Sequence, residues 1–286
     1  MSRAAGFLSI LVLCPSLMVP VAAPAEELPA YLKDRGTGMP TSMFGTYITK
    51  HQLLIYPFYE YYLDDDLEYK PTELGYPLDE DFRGKYRANE FLLYFGYGIS
   101  DWLMVEFEAA LYIDASLETS PDDSSGAPAR TEESGTGDVE GQLRARLMRE
   151  TESRPELFAY FEAVSPQQED KVLIGTADWE LKLGVGVIRG FSFGTMTLRI
   201  AGEYSLEEDK ADLGEYALEY LKRLSPKWRI YLGVEGSQDE LSFIPEAQWH
   251  IRTDRIIVKL NSGFGVTSKA TDWAPEVGVV FALGGK

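Results

Sequence analysis

The chain carries two histidines, His51 and His250, and a histidine beside a serine or a carboxylate is the usual start of nucleophilic or acid–base chemistry. Ser242 shares the stretch and the parity of His250, but eight residues of extended chain hold the two about 27 Å apart, beyond hydrogen-bond reach. Ser262 falls on the opposite parity. The aspartates Asp64, Asp65 and Asp66 lack the glycine and the ligand spacing of a calcium loop and read as solvated acid. No catalytic residue, metal site or other cofactor is assigned on this basis.

What the chain does offer is charge at two-residue spacing. In "GDVEGQLRARLM" (137–148), Asp138, Glu140, Gln142, Arg144 and Arg146 interleave with Val139, Gly141, Leu143, Ala145 and Leu147. A period of two places these sets on opposite faces of a β-strand. Eleven more segments of about ten residues follow the same rule, from "HQLLIYPFYEYYL" (51–63) to "WAPEVGVVFAL" (273–283), and no stretch shows a helical period. The polar faces carry Glu106, Glu108, Glu140, Arg144, Arg146, Asp178, Glu180, Lys182, Arg199, Glu203, Arg229, Glu235, Glu246, His250, Lys259 and Asn261. If Thr253 and Asp254 make a two-residue turn, His250 faces Ile257, Gln248 faces Lys259 and Glu246 faces Asn261. This cluster is either a constriction or binding subsite, or a network that satisfies itself.

Connections alternate in length. Those after odd segments are long or acidic (64–88, 114–136, 165–177, 205–213, "SQDE", "TSKATD"), and those after even segments are short ("ISD", "RETESRP", "RGFSFG", "LSP", "TD"). Long connections on one rim and short ones on the other mark an up-and-down barrel crossing the outer membrane. In hydrocarbon every backbone donor and acceptor must be paired, so a spanning sheet closes on itself. Greasy side chains then face lipid, and ionised ones face an aqueous lumen. Small residues such as Gly141 and Ala145 on the apolar face, and Trp179, Trp228, Trp249 and Trp273 near strand ends with apolar parity, favour this over a soluble sandwich or lipocalin-like barrel. Trp102 sits at a turn with polar parity and is a weaker member of that girdle.

Composition agrees. The formal charge is -19, with 46 acidic against 27 basic residues, which argues against a nucleic-acid partner. Residues 1–25 read as a cleaved signal peptide, with Arg3 at its start, an apolar run from Phe7 to Val19 and a small-residue "VAAPA" end. Cys14, the only cysteine, would leave with it. The expected organisation is a signal peptide (1–25), an N-terminal periplasmic extension or plug (26–50), and an all-β transmembrane antiparallel barrel of about 12 strands (51–286) in the outer membrane of a Gram-negative bacterium. For residues 26–48 a plug and a loose periplasmic tail are both open.

The combination of "TSMFGTYI", "YGISDWLMVEFE", "GDVEGQLRARL" and "IGTADWELKLGVGV" resembles the outer-membrane barrels grouped as MetA-pathway phenol degradation proteins. The resemblance covers the chain from about residue 40 to the end and rests on barrel hairpins rather than chemistry. It implies passage of small, hydrophobic or aromatic compounds, with outer-membrane lipids and the barrel assembly machinery as partners. Phe281 followed by "ALGGK" departs from the terminal aromatic common in such barrels. The expected function is a channel for small solutes through a narrow or partly plugged lumen. A non-conducting structural or ligand-binding barrel is the alternative, and an outer-membrane hydrolase ranks below both.

Overall fold

Twelve antiparallel strands make one sheet: β1 (Gln52–Tyr69), β2 (Phe82–Gly98), β3 (Leu103–Glu118), β4 (Val139–Met148), β5 (Glu156–Ser165), β6 (Glu180–Phe191), β7 (Gly194–Ser205), β8 (Lys210–Arg223), β9 (Trp228–Gly236), β10 (Ser242–Arg252), β11 (Ile256–Gly265) and β12 (Trp273–Gly284). Each strand pairs with its neighbours in sequence, and β12 returns to pair with β1, Phe281 opposite Ile55, so the sheet closes. The structure is a computed structural model that describes residues 28–168, 170–176, 178–206, 209–252 and 255–285. The expected signal peptide lies outside the described residues. So do Thr253 and Asp254, yet the register they imply is present, with Glu246 opposite Asn261, Gln248 opposite Lys259 and His250 opposite Ile257.

The period of two becomes an inside and an outside. Val139, Leu143 and Leu147 are exposed on the outer face, while Gln142, Arg144 and Arg146 between them are buried within the barrel. Trp179, Trp228, Trp249 and Trp273 point outward, and Trp228 stacks on Trp249 across the β9–β10 pair. Trp102 is the most exposed of the five at 58 %, because it sits in the 99–102 turn before β3, where strand parity no longer governs its direction. In a bilayer, Leu143→Arg at mid-strand is expected to lower stability by about 2–4 kcal/mol, whereas Leu143→Ile should stay near wild type. Urea unfolding in lipid vesicles measures both.

Parts of three stretches expected as loops are strand. The Asp64–Asp66 triad continues β1 with a bulge between Asp64 and Leu67, Lys210–Asp212 begin β8, and β3 runs on to Glu118 with a short strand, Arg130–Gly135, added beside it. In β3 the alternation continues, with Ile113, Ala115 and Leu117 buried between Asp114, Ser116 and Glu118, while along Asp64–Asp66 the ladder keeps the chain extended regardless of side-chain type. Ion pairs Arg83–Asp66 and Arg87–Asp65 lace this extension. Across the rim, Lys269 pairs with Asp239 at 3.0 Å, a hydrogen-bonded contact that holds the Asp239 carboxyl below its usual range and the Lys269 ammonium above its own.

Residues 28–51 approach from the short-turn end. After a single 3-10 turn (Ala30–Leu32), Met39–Pro40 pairs with Tyr47–Ile48 to make a small hairpin. Its tip turns at Gly45, where φ is +58° and a Cβ would stand 2.8 Å from Gln248 Nε2, a crowded left-handed position that favours glycine. Met39 and Ile48 form a buried cluster with Leu54, Tyr56, Phe58, Tyr94, Met104 and Val280. The barrel interior is therefore not uniformly charged: the wall made by β1, β2, β3 and β12 turns apolar side chains inward where the hairpin's own apolar residues cover them.

Candidate functional site

The inward charges fall into two tiers. In the lower tier they grip the hairpin. Arg35 pairs with Glu150 at 3.0 Å and Glu156 at 2.9 Å, and Asp34 accepts the backbone N–H of Arg223 at 2.9 Å. Arg146 pairs with Glu156 at 3.0 Å and donates to the carbonyls of Gly38 (2.6 Å) and Thr37 (3.1 Å). Lys259, 1 % exposed, pairs with Glu246 at 3.0 Å, donates to the Phe44 carbonyl at 2.9 Å and lies over the Tyr56 ring. His250 is buried on the same inner face of β10. Phe44 stacks on Tyr231 with ring centroids 5.3 Å apart.

Arg144 joins this tier to the wall. It is 1 % exposed, pairs with Glu106 at 3.3 Å, hydrogen-bonds the Gln142 side chain and donates to the Thr41 carbonyl at 3.1 Å. Its guanidinium covers the rings of Phe158 and Tyr160, 5.2 Å and 4.9 Å from their centroids. Glu106 in turn accepts from Ser42 N, Ser42 Oγ and Tyr94 Oη at 2.7–2.8 Å. A buried charge is tolerated when it is paired and hydrogen-bonded: the hairpin supplies Thr41 and Ser42 as partners, Glu106 Oε2 takes all three hydrogen bonds, and Glu106 Oε1 has the Arg144 ion pair alone.

The upper tier is more open. One Arg199 guanidinium serves three carboxylates, Glu215, Glu219 (2.9 Å) and Glu235 (2.6 Å). Lys182 bridges Glu162 at 3.3 Å and Glu203 at 3.5 Å, while Glu140 lines a small cavity beside Glu162 and Glu180 stands at the outer end of β6. Asn261 donates to Glu276 at 2.7 Å, and Tyr56 Oη donates to the same carboxylate. Above the hairpin tip lies a cavity of about 460 Å³, floored by Ser42, Met43 and Phe44. Its walls carry Glu60, Glu108, Glu215, Glu235, Glu240 and Glu276 against one basic side chain, Arg199, with Phe58 and Tyr62 as apolar surface. Such a vestibule attracts cations and repels anions, since low-dielectric walls focus the field of like charges.

Of the residues singled out by parity, Glu246 and Lys259 meet at the hairpin tip, His250 is buried farther along the same inner face, Arg144 and Arg146 hold the hairpin's near side, and Glu140, Glu180, Lys182, Arg199, Glu203 and Asn261 belong to the upper tier. Ser242 lines the vestibule at one end of β10, and His250 stands near the other end of that strand. Sequence reasoning missed Glu60, Glu215, Glu240 and Glu276 of the vestibule. Glu276 was open to the parity rule, since Ala274 and Val280 share its inward face; Glu60 was not, because aromatic residues occupy both faces of β1.

No family model matches the chain, and no curated protein does. Solved structures share its fold. The COG4313 outer membrane channel from Pseudomonas putida F1 aligns over 86 % of this chain and 99 % of its own, at 14 % identity and a TM-score of 0.58. The translocator domain of the autotransporter NalP from Neisseria meningitidis aligns over 82 % and 89 %, at 10 % identity and a TM-score of 0.51. The KdgM porin in complex with disordered oligogalacturonate aligns over 80 % and 99 %, at 7 % identity and a TM-score of 0.50. At such identities the likeness is one of fold: a closed outer-membrane type of β-barrel.

Proposed function

We propose that the protein is an outer-membrane channel that passes small neutral or cationic solutes, aromatic ones among them, and that residues 28–50 plug its periplasmic half. The observation that carries this reading is the acidic vestibule, open on the long-loop side and floored by the hairpin tip. A barrel built only as a scaffold has no use for six carboxylates gathered around an unfilled space, because each must stay hydrated or paired. The long-loop rim is then extracellular and the short-turn rim periplasmic, which fits export through a cleaved signal peptide. Lipids cover the outward apolar belt, and the barrel assembly machinery inserts it. Phenolic or other small aromatic compounds remain the favoured cargo by the family resemblance, with Phe44, Phe58 and Tyr62 as the surface they would touch.

Planar bilayers test the reading. The whole exported chain is expected to be nearly silent, and the same chain without residues 28–48 to conduct steadily, with its reversal potential in a potassium chloride gradient displaced toward potassium. Silence from both would make the protein a closed structural barrel. Chloride preference in the shortened form would contradict the role given to the carboxylates.

A further inference from the structure

A second cavity, of about 510 Å³, lies beyond the vestibule at the long-loop end. One wall is apolar and is built by the extended strands: Leu67 of β1, Tyr86 of β2 and Leu117 of β3, closed over by Val172 and Leu173 of the 166–179 connection. That connection is held in place, since Glu133 accepts the backbone N–H groups of Val172 (3.1 Å) and Leu173 (2.8 Å), and Tyr86 Oη reaches the Leu173 carbonyl. The rest of the lining carries Glu68, Glu73, Asp239 and Glu240 against one ammonium, Lys269. Lys269 is committed to Asp239, and Glu68 to Arg83 at 2.8 Å. Glu240 takes part in none of the ion pairs formed among the described residues. Ser237, Glu240 and Thr271 line both this cavity and the vestibule, so the two meet at a neck beside the Glu240 carboxylate.

We infer that this outer cavity is a capture site for a small apolar or aromatic molecule bearing a cationic amine, which it hands through the Glu240 neck to the vestibule. The volume falls within the range of about 300–1,000 Å³ typical of small-molecule sites. The apolar wall removes a ring from water, and the carboxylates of the same lining complement an ammonium while repelling a carboxylate of the same shape. The site deepens the channel reading and rests on it for the direction of transfer.

Three probes of one shape and different charge decide the matter: 2-phenylethylammonium, 2-phenylethanol and phenylacetate, titrated calorimetrically against the full chain in nanodiscs. The ammonium is expected to bind at least about tenfold more tightly than phenylacetate, with the alcohol between them. Glu240→Gln should weaken the ammonium by about tenfold and leave the alcohol unchanged. Leu173→Trp, which fills the apolar side, should abolish binding of both, and Val172→Trp at the half-exposed neighbour serves if the first variant does not fold, heat-modifiable migration being the folding check. Equal binding of ammonium and phenylacetate overturns the proposal, as does unchanged ammonium affinity in the folded variants. If the amine fails to bind while the chain lacking residues 28–48 conducts, the capture site falls and the channel stands. If the amine binds and that chain stays silent, the channel reading falls instead.

Discussion

Arg144→Met is expected to destabilise the barrel by about 3–5 kcal/mol, because it strands a buried carboxylate. Glu106, 2 % exposed, keeps its hydrogen bonds from Ser42 and Tyr94 but loses the cation that neutralises it. The Phe158 and Tyr160 rings lose their cover in the same step, and the Thr41 carbonyl loses a donor. Glu106→Gln alone should also be costly, leaving Arg144 with the Gln142 amide and no counter-charge. The double variant Glu106→Gln with Arg144→Met should recover much of the loss, since neither buried charge then remains. A double-mutant cycle from urea midpoints in lipid vesicles measures the coupling. A single-variant loss below about 1 kcal/mol would mean that water, rather than protein, solvates this pair. Because Arg144 and Glu106 both hold the hairpin tip, each single variant should also show conducting bursts where the parent is quiet.

Gly186→Val should prevent assembly of the folded barrel. A Cβ at Gly186 would stand 2.1 Å from Cζ of Phe158, and one at Gly184 would stand 2.1 Å from Cζ of Tyr160. These rings have nowhere to go, being pressed between the inner surface of β6 and the Arg144 guanidinium. Overpacking of this kind is placed at about 3 kcal/mol or more, the upper end for a rigid buried site. Gly141 provides the contrast. It faces outward, and a Cβ there meets nothing nearer than Phe107 at 3.5 Å, so Gly141→Val should migrate as a folded, heat-modifiable band like the parent. Adding Phe158→Leu to Gly186→Ala should restore part of the folded band. If Gly186→Val assembles normally, the ring stack over β6 is looser than the geometry implies.

These two expectations separate what local pattern can reveal from what it cannot. Gly141 and Gly186 are the same residue in similar strands, and parity assigns them to opposite faces. Nothing in the neighbouring residues tells that Phe158 and Tyr160, one strand away, lie flat across Gly186 and Gly184 to carry Arg144. Likewise the Glu246–Asn261 and Gln248–Lys259 pairs follow from a two-residue turn by counting, whereas the Lys259 contact with the Phe44 carbonyl joins residues 215 positions apart.

The sequence by itself determined the all-β class, the central part of each strand, the outward and inward faces of strands that alternate cleanly, such as β4 and β6, and the register of β10 on β11. Those properties are local: alternation with period two, and connection length, are written along the chain and need no distant partner. Tertiary structure alone decided that residues 28–50 meet the inner wall, that part of that wall is apolar, and that the acidic connections after β1 and β3 are partly further strand. Each depends on which surfaces meet in space: Met39 and Ile48 make an inward Tyr56 or Leu54 favourable, and a paired neighbour keeps a charged segment extended in water. Barrel closure brings those surfaces together, and no periodicity along one strand records it.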